Sequence, residues 1–133
     1  MKDLLKSIAG LPAWVQTWLA ILVVTNVASL TFLDSPVGRY TAMAFAIVAA
    51  VNVPIMVLQR GLTRLLSFPH FVWVPLVLYL ASQLWGASPL PTGPVRMYAW
   101  VVFVVNSISL TFDIIEAVRW LRGGKEVLGL ERI

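Results

Sequence analysis

Apolar residues run along this chain in four long blocks separated by short polar segments. No Asp, Glu, Lys or Arg occurs in residues 7–33, 40–59, 65–95 or 97–112. A helix needs about 20 mostly apolar residues to cross a hydrocarbon core of roughly 30 Å. The pattern predicts an all-α integral membrane bundle of four transmembrane helices, at about 13–33, 40–58, 68–86 and 96–121. The fourth reaches span length only by taking in Asp113 and Glu116. Spans and short connections use all 133 residues, so one transmembrane domain is expected.

Smaller signals punctuate these blocks. Leu4, Leu5 and Ile8 lie at helical spacing beside Lys2 and Lys6, which fits a helical turn in the membrane interface or a frayed start with snorkelling lysines. Pro12 opens the first span, and Asp34-Ser-Pro-Val-Gly38 reads as a tight turn after it. In the second span Ala42, Ala46 and Ala50 recur every four residues, a spacing that lets helix backbones approach closely. Pro54 removes a hydrogen bond inside that span and should kink it. Pro69 starts the third span and Pro75 lies inside it, while Pro89, Pro91 and Pro94 make the next loop a compact turn. Gly123-Gly124 is a helix stop, followed by a polar tail of nine residues.

Composition supports the membrane reading. The chain is 59% hydrophobic and 12% charged with mean hydropathy +0.86, where a soluble domain carries about 25% charged residues. Placement of the ten basic residues adds orientation. Lys2, Lys6, Arg60, Arg64, Arg119, Arg122, Lys125 and Arg132 flank one side of the spans, and only Arg39 and Arg96 flank the other. In short loops this bias marks the cytoplasmic side, so both termini are expected there. A basic face toward anionic lipid heads accounts for the pI of 10.0 without nucleic acid. The absence of Cys excludes disulfides and thiol chemistry. The first apolar run is too long for a signal peptide core, so it is read as a retained span. The expected location is a bacterial cytoplasmic membrane.

Candidate chemistry lies within the spans. Asn26, Asn52 and Asn106 are the only asparagines, one per span. At about 1.5 Å of rise per residue all three fall near the midplane, which predicts a shared cluster, either as hydrogen-bonding glue or as a polar site. Asn106, Ser109, Asp113 and Glu116 follow at i, i+3, i+7 and i+10, within an arc of about 80° on one helix face. Val101, Val104 and Ile115 lie opposite. An ionised Asp113 inside the hydrocarbon costs up to ~3 kcal/mol unless paired or wetted. A graded row of oxygen ligands is what a cation path or site requires. The plain alternative pairs Glu116 with Arg119 or Arg122 and bonds Asp113 to Asn52 or to backbone.

Residues 26–32 and 106–112, Asn-Val-Ala-Ser-Leu-Thr-Phe and Asn-Ser-Ile-Ser-Leu-Thr-Phe, agree at five of seven positions. The two helices run in opposite directions, as in an inverted repeat. His70, the only histidine, reads as an interfacial polar residue or a pH-responsive group. No metal site, cofactor motif or nucleophile–base pair is visible, so no enzyme activity is expected. The leading expectation is binding or permeation of a small cation or polar solute along the Asn26, Asn52, Asn106, Ser109, Asp113, Glu116 set. The chain would act as a homo-oligomer in the lipid bilayer. The alternative is an accessory or assembly subunit of a membrane complex, whose asparagines and alanines serve packing alone.

Overall fold

Five α-helices follow the apolar blocks in the computed structural model, which describes residues 2–130. They are α1 (Lys2–Gly10), α2 (Ala13–Val27), α3 (Pro36–Leu58), α4 (Trp73–Trp85) and α5 (Pro94–Leu121). Among the described residues there is no strand. Joined with adjoining 3-10 turns, the helices give four stretches long and apolar enough to cross a membrane: Ala13–Phe32, Pro36–Leu58, Arg64–Trp85 and Pro94–Leu121. Arg132, counted above among the basic residues, lies outside the described residues.

Polar residues and prolines decide where the helices begin and change pitch. α3 starts four residues before the expected Tyr40 because Ser35 accepts a hydrogen bond from the Gly38 amide at 3.1 Å and Pro36 takes the first helical position. After Val27 the first stretch tightens into the 3-10 turn Ala28–Phe32. There the Ser29 and Thr31 hydroxyls donate to the carbonyls of Asn26 and Ala28 at 2.6 and 2.7 Å, competing with the regular helical ladder. The third stretch was expected to be helical from Phe68. Instead it enters through two 3-10 turns, Arg64–Ser67 and Pro69–Val72, before α4 begins at Trp73. Pro75 then falls in the first turn of α4, where a missing N–H leaves no helical bond unmade. α3 runs unbroken through Pro54.

One face of each long helix turns inward. In α5 the buried positions include Tyr98, Val102, Val105, Ser109, Asp113 and Ala117, a spacing of three and four that marks one side of a helix. α3 buries Val37, Thr41, Ala44, Val48 and Asn52. The alanine row therefore lies beside the packing face: Ala46 and Ala50 are exposed. Met97, Val101, Val104, Ile115 and Leu121 of α5 are also exposed, as are Val24, Leu58 and Leu78 on the other helices. An outer surface this apolar suits lipid rather than water.

The tail is not a free polar end. The Leu128 amide donates to the Leu62 carbonyl at 2.8 Å, and fully buried Ser7 joins both strands of the junction. Its hydroxyl donates to the Leu128 carbonyl at 2.6 Å and accepts from the Leu62 amide at 3.0 Å. A Cβ on Gly10 would sit 1.9 Å from the Gly129 carbonyl oxygen, so only glycine allows this approach. Helix α1, the end of α3 and the tail thus close one end of the molecule together.

Candidate functional site

Polar side chains of α5 are arranged in three layers along its buried face, each meeting a different neighbour. The innermost is a reciprocal amide pair. Asn26 Nδ2 donates to Asn106 Oδ1 at 3.0 Å, Asn106 Nδ2 donates back to Asn26 Oδ1 at 3.1 Å, and both residues are fully buried. Each amide nitrogen thereby finds an acceptor that hydrocarbon could not supply. Asn26 Nδ2 also donates to the Leu22 carbonyl at 2.9 Å.

The sequence echo acquires geometry here. Tyr98 stands eight residues before Asn106, and its ring stacks on Phe32 at 4.4 Å. Trp18 stands eight residues before Asn26, and its ring meets Phe112 edge-on at 6.4 Å. Trp18 Nε1 donates to Ser109 Oγ at 3.1 Å, and the Tyr98 hydroxyl donates to the Thr25 carbonyl at 2.7 Å. The two matching segments therefore exchange partly reciprocal aromatic contacts around the asparagine pair.

Asn52 does not join that pair. Counted from the end where α2 begins and α3 and α5 finish, Asn26 lies about 20 Å in and Asn106 about 22 Å, but Asn52 only about 9 Å. It belongs to a second layer with Asp113, about 12 Å from the same end by the same count. His70, on the turn Pro69–Val72, sits between them. Its Nδ1 lies 2.9 Å from Asp113 Oδ1 and its Nε2 lies 3.2 Å from Asn52 Nδ2. The ring stacks flat against Trp73, with centroids 4.4 Å apart and planes 4° from parallel.

Hydrogen-bond logic fixes the protons of this layer. Asn52 Nδ2 also donates to the Leu66 carbonyl at 3.2 Å, so the amide nitrogen, not its oxygen, must face Leu66. Nε2 of His70 then accepts, and Nδ1 carries the proton donated to Asp113. These contacts match the tautomer that carries its hydrogen on Nδ1. Asn52 and Asp113 are only 7% and 8% exposed, yet Asn52 Oδ1, Asp113 Oδ2 and the indole Nε1 of Trp73 have no partner among the described residues. Each such group costs about 1–3 kcal/mol when left unmade.

Glu116 forms the third layer and is held by cations. Its Oε2 lies 2.7 Å from Arg64 Nε and its Oε1 accepts from Arg119 Nη1 at 2.7 Å. Arg64 also pairs with Glu126 and donates to the Gly124 carbonyl at 3.3 Å, fastening the tail. The hydrogen bond from Arg64 holds the Glu126 carboxyl below its ordinary range. Of the six residues singled out from sequence, the structure thus joins Asn26 to Asn106 and brings Asn52 beside Asp113 through His70. Ser109 and Glu116 go to separate partners. His70 was not among the six, although one histidine and one aspartate near the same end of consecutive apolar stretches was a usable signal. Among the described residues no cluster of three or more His, Asp or Glu could hold a metal ion. In comparisons with known proteins the chain matches no family model, no curated protein and no solved structure.

Proposed function

We propose that this chain is a multi-pass protein of a bacterial cytoplasmic membrane, with four spans and both termini inside, that binds a small cation at the Asn52–His70–Asp113 layer. The observation that carries this reading is a buried carboxylate whose second oxygen is open, beside an open amide oxygen, within a stretch able to span a membrane. Ionisable groups at such positions are expensive and mark ion or proton pathways. The proposed site is gathered within one copy of the chain, so a second copy is not needed to complete it. The test is uptake of Na⁺, K⁺, H⁺ and Ca²⁺ by liposomes holding the purified protein, paired with equilibrium binding. Asp113→Asn removes the charge with little change in volume and should abolish both signals.

A second reading is favoured by a specific observation: the Asn26–Asn106 pair, Ser109 and Glu116 are all satisfied inside one chain. Such closed polar contacts are what an assembly or accessory subunit needs for a rigid scaffold. A wild type that neither binds nor moves any cation in the liposome test would leave this second reading in place.

A further inference from the structure

Resting on the cation-site reading, we propose that the cation is a proton, taken up at Nε2 of His70, and that its arrival turns over the Asn52 amide and releases the Leu66 carbonyl. The ligand class follows from the groups present. A metal ion such as Ca²⁺ takes six to eight oxygens, whereas this layer offers two open oxygens, an imidazole engaged at both nitrogens and an indole N–H. One donor and two acceptors left open fit water and a proton, not a bare metal ion.

The consequence follows from donor and acceptor arithmetic. A hydronium ion transfers its proton to the Nε2 lone pair: one N–H bond forms, one O–H bond of the donor breaks, and neutral water is left behind. Nε2–H then faces Asn52 Nδ2–H across 3.2 Å, donor against donor. A half-turn of the amide brings Oδ1 to Nε2–H and gives that open oxygen a partner. The same rotation withdraws Nδ2 from the Leu66 carbonyl. Leu66 lies in the turn Arg64–Ser67, so the proton loosens the connection between α3 and α4 at the point where Arg64 grips the tail.

The groups facing the imidazole are few. From α5 comes Asp113, whose carboxylate gains an ion pair when His70 is charged. The turn Arg64–Ser67 brings Arg64, already held by Glu116 and Glu126. α3 presents neutral Asn52 and α4 presents the Trp73 ring.

Nitrogen NMR of the full chain in lipid nanodiscs, labelled at His and Asn, tests this between about pH 8 and pH 5, the range in which imidazole changes charge. The expected result is a single Nδ1–H tautomer at the upper end and protonation of both ring nitrogens on acidification. The Asn52 side-chain amide should shift in the same step, and saturating Na⁺, K⁺ or Ca²⁺ should leave the spectrum unchanged. In Asn52→Leu the single tautomer should be lost. A titrating ring with an unmoved Asn52 amide overturns the coupling. A spectrum moved by a metal ion at constant pH, but not by protons, overturns the proton and keeps the cation site. A layer indifferent to both overturns the two readings together.

Discussion

Single residues decide this molecule's stability where they have no substitute partner. Asn26 and Asn106 satisfy one another in a place where neither could find water, so removing one amide strands the other. Asn26→Leu and Asn106→Leu should each lower the thermal midpoint. Their double-mutant cycle in detergent should return a coupling of about 1 kcal/mol, within the range known for contacting polar pairs in membranes. Strictly additive losses would exclude the direct bond. Arg60 is a different case. It adopts φ 56° just after α3, where its amide bonds the Val57 carbonyl at 3.2 Å and the Gly61 amide bonds the Met56 carbonyl at 3.0 Å. This terminator favours glycine at the left-handed position, which costs other residues roughly 1–2 kcal/mol. Arg60→Gly should therefore raise the thermal midpoint, with a gain of up to about 1 kcal/mol; a loss would mean that the arginine side chain holds something the backbone does not reveal.

Elements were legible from the sequence where periodicity alone decides, and less so where side chains intervene. All four apolar blocks became helical, and Gly123-Gly124 ended α5, with the Gly123 and Gly124 amides bonding Trp120 and Arg119. The 3-10 entries to α4 were not read, because they depend on where Pro69 and Pro75 remove donors rather than on hydrophobic pattern. In the candidate site, the Asn26–Asn106 pair was foreshadowed by the seven-residue echo. The His70–Asp113 contact joins residues 43 positions apart and was hidden because a lone histidine carries no spacing to recognise. The docked tail was hidden for a similar reason: its grip on α1 and Leu62 is mostly backbone, and backbone bonding leaves little trace in side-chain pattern. Its electrostatic fastener should depend on pH. Glu126 has its carboxyl lowered chiefly by the hydrogen bond from Arg64. A lowered carboxyl stabilises the folded form fully above its ordinary value of 4.5 and loses that contribution as pH falls through the lowered one. Protection of the amides at residues 124–130, taken relative to their intrinsic exchange rates, should therefore fall in acid below that value, and Glu126→Gln should lower it already at neutral pH. Equal protection in both proteins would remove Glu126 from the fastening of the tail.

At the scale of the whole molecule, shape and charge make separate statements about orientation. The Ser7–Leu62–Leu128 junction puts α1, the end of α3 and the tail at one end of the molecule, whichever side of a membrane that end faces. The choice of side rests on charge. Lys2, Lys6, Arg60, Arg64, Arg119, Arg122 and Lys125 belong to that end, and Arg39 and Arg96 lie in the first turns of α3 and α5 at the other. Positive residues in short flanking segments resist translocation, which is the ground for the proposed inward orientation of the crowded end. The same choice sets the chemistry, because the Asn52–His70–Asp113 layer lies about 9–12 Å from that end and would exchange protons with whichever compartment it faces. Reporters inserted between Asp34 and Ser35, and in the loop around Ser88, should both read as external. Substituting Gln for the exposed cations Lys2, Lys6, Arg60 and Arg122 leaves the Arg64 pairs intact. Those changes should produce a mixed population in which part of the reporter signal turns cytoplasmic. A cytoplasmic signal from the unaltered chain at either position would reverse the assignment and place the histidine layer at the outer surface.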